Sequence, residues 1–446
     1  MLTNAHTDMK KNILKTGIFA VLGILALASC ADEPYKYEMT SGLPEIYYIR
    51  PAGAARDTLL TSAYMGNGLC VVGNNLRSTY KVFFNDQEAI LNSSYITDNT
   101  LLLSVPNTIP EEVSDKIFFY NKEGEATEVD FKVLVPGPVV SAMGCEWQPA
   151  GTQTTITGDY FIDDPNVPLT VTFAGGVTAQ VKNITKNIIT IEVPDGAQEG
   201  PVTVSTIYGQ SSSAFHYMDS RGMLFDFDSD PRRVCHGWHN GLFIGSDETS
   251  LSGNYLRLGA PDVTMSATGG WDDGNFSFEY WPGDWSQPLS YNNGPLLTDF
   301  ADFSDWENMS LKFEMNIPSA NGWAAGMMQF IVGGVDKVSY SDAGTDIFGN
   351  TVAGANNSYF NNNDLPRGIY QPWTTAADGI YSTEDQWMTV TVPYSSFIYG
   401  FDGTQASGRL KASDFTSLTI FVVGGPEGKE CNPVIKIDNI RAVPNK

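Results

Sequence analysis

Short alternating runs of apolar and polar residues recur through most of this chain, and they constrain its fold more than any other feature. TLLLSVP (100–106), KIFFY (116–120), TTITGDYF (154–161), PVTVSTIYG (201–209), QWMTVTVP (386–393) and LTIFVVGG (418–425) all carry the period of two that places one strand face inward. Glycine, proline and asparagine punctuate them, and stretches with helical spacing are nearly absent. A chain of 446 residues exceeds what one core organises, so several all-β domains are expected.

The runs fall into three blocks. In the first two, an internal order repeats at a spacing of roughly ninety residues. VVGNNL (71–76) and TITGDYF (155–161) each place a glycine before a turn. LSVPNTIP (103–110) and IEVPDG (191–196) each end a strand on Val-Pro, where no ladder N–H is needed. Glycine is read here as the residue that permits positive φ. Strands at this spacing predict two immunoglobulin-like sandwiches over 43–136 and 137–219, joined through VPGP (135–138) and serving as stiff spacers. From about Arg221 the composition shifts. Of nine tryptophans, all but Trp147 lie beyond this point, and 220–446 suits one larger jelly-roll-like β-sandwich with long loops.

The N-terminus reads as an address. Met9, the expected start, is followed by Lys10, Lys11 and Lys15 and by an apolar run from Gly17 to Ala28, the pattern of a signal peptide (1–29). Leu27-Ala28-Ser29-Cys30 has the form of a bacterial lipobox, with Cys30 as the acylated first mature residue and 30–42 as a tether. The alternative is a secreted chain cut after Ala28 or Ser29. An acyl chain anchors without spanning, so the expected membrane contact is through the lipid alone. The remaining cysteines, Cys70, Cys145, Cys235 and Cys431, form no C-x-x-C. A Cys235–Cys431 disulfide is left open.

Charge narrows the partner. With 26 Lys+Arg against 51 Asp+Glu, the formal charge is −25. Nucleic acid and anionic surfaces are disfavoured, because phosphate neutralisation needs clustered cations. A neutral polysaccharide or oligosaccharide fits best. Its chemistry asks for aromatic rings beside hydrogen-bonding groups: the C–H face of a pyranose stacks on a ring, for about 1 kcal/mol beyond area burial, while Asp, Asn and Arg take the hydroxyl rim.

FSFEYWPGDWSQP (276–288) concentrates such groups. Alternation sends Phe276, Phe278 and Tyr280 to one face and Ser277, Glu279 and Trp281 to the other, which is expected to be wet. Trp281, Trp285, Glu279 and Asp284 are therefore candidate glycan contacts. The 356–375 loop adds Tyr370, Trp373, Arg367 and Asn363, and SANGWAAG (319–326) adds Trp323 at an expected loop tip. Trp387 and Trp306 are read as structural; Trp271 is left open. Metal ligation is not expected: CHGWHNG (235–241) offers Cys235, His236 and His239 without a fourth ligand, and FDFDSD (225–230) lacks the glycine and closing glutamate of a calcium loop. No cofactor is expected, although a structural Ca²⁺, common in such sandwiches, stays open. The E-x-D-x-x-E strand of sandwich-fold β-glucanases, the nucleophile elbow and H-E-x-x-H are all absent.

On VVGNNL, LSVPNTIP, TITGDYF and IEVPDG, the first two blocks resemble IPT/TIG domains. The last resembles carbohydrate-binding modules through Phe225-Asp226-Phe227, the segment from Trp387 to Phe397 (W-x-x-V-x-V-P-x-x-x-F) and Ile437-Asp438-Asn439-Ile440-Arg441. The order of anchor, tether, two spacers and aromatic-rich sandwich resembles the surface glycan-binding protein B family of polysaccharide-utilisation systems. That resemblance implies a noncatalytic outer-membrane lipoprotein, exposed at the cell surface, that captures xyloglucan or another β-glucan and passes it to a TonB-dependent transporter complex. It also brings Tyr280, beside Trp281, into the expected aromatic platform. A surface adhesin with a protein partner and a glycoside hydrolase are the competing readings.

Overall fold

A computed structural model describes residues 37–53, 58–229, 243–280, 295–333, 343–345, 351–353 and 363–446. The chain divides into two compact units, Met1–Pro136 and Gly137–Lys446.

In the first unit, strands Glu45–Pro51, Gly68–Asn74 and Thr100–Ser104 form one sheet, and Gln87–Glu88, Lys81–Phe84, Lys116–Tyr120 and Ala126–Asp130 form another. Leu69, Val71, Val82, Phe84, Ile117 and Phe119 close the core between them. The second unit begins with a sandwich of the same kind. Val139–Met143, Gln153–Asp159, Ile188–Glu192 and Gln180–Ile184 face Thr170–Ala174, Gln198–Thr206 and Gly209–Tyr217, over Ile156, Val171, Phe173, Ile191 and Val204.

The repeated glycine has a different task from the one expected. Gly73 and Gly158 do not adopt positive φ; Asn75 (φ 53°) and Tyr160 (φ 57°), two residues on, make the left-handed turns. The glycines are needed for close strand approach. A Cβ on Gly73 would lie 2.0 Å from the Glu45 carbonyl oxygen, and one on Gly158 would lie 1.8 Å from that of Val139. Both acceptors sit on the first strand of their sandwich, next to a register shift at Ile46/Tyr48 and at Val140/Ala142. One local device is thus used twice.

From Met223 onward the chain builds the larger sandwich. Phe243–Gly245, Tyr255–Leu258, Ile435–Pro444, Met309–Asn316 and Met388–Pro393 pair in that order, with Met223–Phe225 added to Ile435–Pro444. The opposing sheet runs Ser277–Tyr280, Leu418–Val423, Met327–Val332, Gly368–Tyr370. Phe313 on one sheet meets Phe330 on the other at 5.5 Å between centroids, within a core that includes Leu311, Met315, Phe278, Ile420 and Ile437. The IDNIR segment lies on the central strand of the first sheet. Asn439 takes φ 50°, a conformation asparagine tolerates. Ile437 and Ile440, three positions apart, are both fully buried there.

The spacer of the second unit is joined to this sandwich by buried charge. Glu146 accepts from Arg441 (2.7 Å) and Lys312 (2.5 Å), and the same Arg441 holds Glu314 at 2.8 Å. Further bonds reinforce the junction: Thr389 N donates to Gly144 O at 2.8 Å and Glu146 N to Thr389 Oγ1 at 2.7 Å. Cys70, Cys145 and Cys431 are free thiols; Cys235 lies outside the described residues.

Candidate functional site

The four-stranded sheet of the larger sandwich has two faces of opposite character. Cross-strand partners share a face, so Phe278, Ile420, Phe330 and Gly368 form an inward row. Gly368 admits the Phe397 ring, which lies 2.4 Å from where a Cβ would stand. The next row, Ser277, Phe421, Gln329 and Ile369, faces outward, as do Glu279, Thr419 and Ile331.

This outer face is polar but not wet. Ser277, Glu279, Gln329 and Thr419 are all at or below 1% exposure, which corrects the expectation of a solvent-facing strand edge at Glu279. Alternation identifies the face but not what covers it. Here Trp271 packs edge-on against Phe421, with centroids 4.9 Å apart and an interplanar angle of 87°, and lies 6.4 Å from Phe401. Glu279 accepts from Ser277 Oγ at 3.2 Å.

Gln329 organises the middle of the face. Its amide nitrogen donates to Phe401 O (3.2 Å) and Val423 O (3.1 Å), while its oxygen accepts from Arg367 Nη1 at 2.7 Å. Arg367 is fully buried, with its guanidinium carbon 5.9 Å from the Phe401 ring. It is a support for the surface, not the solvent-facing rim contact expected from the loop. Gln329→Leu removes three hydrogen bonds and strips Arg367 of its amide acceptor. A loss of about 2 kcal/mol is expected, read as a lower urea midpoint at unchanged slope.

The aromatic candidates divide. Tyr280 is 2% exposed; it belongs with Phe278 on the core face, contacts Phe225 at 5.2 Å and donates its hydroxyl to Pro295 O at 2.6 Å. Trp323 is fully buried, not at a bare loop tip, and donates to Ala325 O at 2.6 Å. Trp373 is 5% exposed and donates to Gly326 O at 2.9 Å. Tyr370 is half-buried against the core, 6.2 Å from Trp323, and burial, then the neighbouring Tyr381, raises its pKa far above the ordinary tyrosine value. Trp323 and Trp373 thus face the interior and present no platform to solvent, and Tyr370, at the end of strand Gly368–Tyr370, packs against the same core. Phe276 is buried as expected, but as the last residue of a helical turn, Asp273–Phe276, capped by Asp272. Trp387, read as structural, is half-buried over Tyr255 and donates to Thr249 O at 2.8 Å. Trp281, Asp284 and Trp285 lie outside the described residues, as do Cys235, His236, His239 and Cys30.

What the described residues do expose is a rim. Trp271 is 42% exposed. Beyond Phe401, the exposed Asp402 carboxylate accepts from Thr404 Oγ1 (2.7 Å) and Asn363 Nδ2 (3.1 Å), and Asn363 Oδ1 accepts from Asp402 N at 2.9 Å. Hydrogen bonds from Thr404 hold the Asp402 pKa below the ordinary aspartate value, so it is an ionised acceptor at neutral pH. Trp271 is the ring that residue order left undecided; its signal was GGWDDG, a tryptophan flanked by turn residues.

Among the described residues no three His, Cys, Asp or Glu side chains come together as a metal site. Asp226 is engaged by Asp228 N and Ser229 N, and Asp228 by Asn254 N.

A two-sheet sandwich of this kind is the architecture of carbohydrate-binding domains, a class that holds glycans without cutting them. The model of the surface glycan-binding protein B xyloglucan binding domain matches residues 217–444, and that of the IPT/TIG domain matches 138–217. The chain belongs to the surface glycan-binding protein B family. It is similar to the surface glycan-binding protein B of Prevotella bryantii, with 46% identity over 92% of this chain and 100% of that chain and a TM-score of 0.76. A surface glycan-binding protein B from a complex xyloglucan utilization locus in Bacteroides uniformis aligns over 90% of this chain and 100% of that chain, at 15% identity and a TM-score of 0.40. An IPT/TIG domain-containing protein of Bacteroides ovatus is 30% identical over 149 residues, which is 32% of this chain and 29% of that protein's length.

Proposed function

We propose that this protein is a noncatalytic, cell-surface glycan receptor that captures a neutral β-glucan, xyloglucan foremost, through the sandwich that follows the spacers. The observation that carries this reading is the match to the xyloglucan binding domain over 217–444. The net charge of −25 supports an uncharged ligand, because an acidic polysaccharide would be repelled.

Acylation of Cys30 holds the chain at the outer membrane, and the two immunoglobulin-like spacers lift the binding sandwich away from it. The captured glycan passes to a TonB-dependent transporter complex, the partner that the family layout implies. Capture without cleavage suits such a relay, since the transporter needs the ligand concentrated at the surface.

The test is affinity electrophoresis of the mature chain through gels containing xyloglucan, mixed-linkage β-glucan, laminarin, mannan or starch. Strong retardation by xyloglucan, with weaker retardation by mixed-linkage glucan, is the expected result. Unchanged mobility in every gel would remove the glycan reading. Release of new reducing ends from any of these polymers would convert it to a hydrolase.

A further inference from the structure

Tandem domains tilt and unfold separately unless the contact between them is large or tightly held. Gly137–Lys446, which contains both the second immunoglobulin-like domain and the larger sandwich, is one compact unit. We propose that these two domains fold and unfold as a single cooperative body, so that the 137–219 domain is a built-in part of the binding domain and not a separable spacer. Three features carry the proposal.

The first is the link. Tyr217 ends the last strand of the spacer and Met223 begins the first strand of the sandwich, so only residues 218–222 connect them. These have no slack. Met218 N donates to Glu146 O at 2.8 Å, and Ser220 donates to Glu199 from N (3.1 Å) and Oγ (2.8 Å). The fully buried Asp219 accepts from Arg221 Nε and Nη2, both at 2.8 Å. Gly222 O accepts from Ala442 N at 2.9 Å. Its φ is 55°, and a Cβ there would stand 2.0 Å from Ala442 O, so only glycine fits this seat.

The second is a covered sheet edge. Met388–Pro393 is the end strand of its sheet, and an open edge invites pairing with other chains. The spacer meets it at Thr389, whose N donates to Gly144 O. Thr389 Oγ1 accepts from Glu146 N at 2.7 Å and donates to Glu314 Oε1 at 2.9 Å. One side chain thus links the two domains through a spacer amide and a sandwich carboxylate. The third is charge. Arg441 and Lys312 of the sandwich both pair with Glu146, and Arg441 also holds Glu314. Two cations and two carboxylates balance only because the spacer supplies Glu146, itself buried. Without it the sandwich would keep a positive charge in excess at this junction, a state that burial makes costly.

The experiment is urea unfolding of the mature chain labelled with 5-fluorotryptophan, followed by ¹⁹F NMR. Trp147 is the one tryptophan of the spacer, residues 43–136 contain none, and the rest lie in the sandwich. The resonances therefore report the two domains separately, and Trp147 is identified by its absence from Trp147→Phe. The expected result is that the native Trp147 signal and the native sandwich signals vanish at one common midpoint. Leu169→Ala changes the spacer core beside Thr170–Ala174, the strand at the opposite end of its sheet from Gly209–Tyr217. It should lower the midpoint of every tryptophan signal alike, by roughly 1 M urea. Separate midpoints in wild type overturn the proposal. So does a Leu169→Ala chain in which the Trp147 signal moves or is lost while the sandwich signals keep their wild-type midpoint.

Discussion

Replacing Arg441 with methionine is expected to cost the 137–446 unit about 3–5 kcal/mol. Arg441 is fully buried and is shared by two carboxylates that are themselves at or below 2% exposure, Glu146 of the spacer and Glu314 of the sandwich. Burial raises the Glu314 pKa above the ordinary glutamate value even with Arg441 opposing it. Methionine fills similar space but leaves both carboxylates without their main counter-charge, with only Lys312 beside Glu146. Proton uptake by Glu314, whose pKa burial already raises, then offsets part of the loss, so the defect is larger at pH 7.5 than at pH 5. Calorimetry of the mature chain should show the transition of this unit lowered by roughly 6–12 °C. Adding Glu146→Gln and Glu314→Gln should restore much of it. A shift below about 2 °C at pH 7.5 would mean that the network adds little beyond the surrounding apolar packing.

The second large effect concerns Asp438, which is fully buried. Burial, with Glu314 and Asp228 adding repulsion, raises its pKa to about 8 against the lowering effect of Asn439 N–H and Ser252 Oγ. An unfolded aspartate titrates near ~3.9. Between these values the folded protein holds a proton that the unfolded chain has released, so stability falls as pH rises. The contribution is fully present below about 3.9 and is lost as pH rises through about 8. Asp438→Asn keeps an acceptor for Asn439 N–H and removes the titration. It should stabilise the sandwich by roughly 3–5 kcal/mol at pH 8 and by almost nothing at pH 4. Melting temperatures measured from pH 4 to 8.5 should converge at the acid end and separate at the alkaline end; parallel curves would show that Asp438 does not titrate in this window.

The buried charges lie at the junction with the spacer and on the first sheet, whereas Trp271, Gln329 and Arg367 belong to the opposing sheet and its loops.

Much of the architecture was legible in residue order. Period-two runs located the strands, Val-Pro marked their ends, and IDNIR marked the close of the last domain, although not its central place in the sheet. These signals are local: pleat geometry dictates alternation, and proline's missing N–H dictates where a ladder stops. The functions of individual glycines were less legible. Gly73 and Gly158 looked like turn formers because the turn follows two residues later, and only the crossing carbonyls of Glu45 and Val139 show why no side chain fits.

The aromatic residues mark where reading along the chain ended. Alternation correctly assigned Phe278 to the core and put Glu279 on the opposite face, because side-chain direction follows from the backbone alone. Whether that opposite face is wet depends on segments distant in sequence, and Trp271 and Phe401 arrive over it from two separate loops. Trp323, Trp373 and Trp271 all sit among glycines and turn residues, so composition cannot rank their exposure. Their packing against Gly326, Ala325 and Phe421 does. Strand, repeat and family were thus written in local periodicity and motif, whereas the accessible indole was set by long-range packing, since accessibility belongs to the assembled surface and to no single stretch of chain.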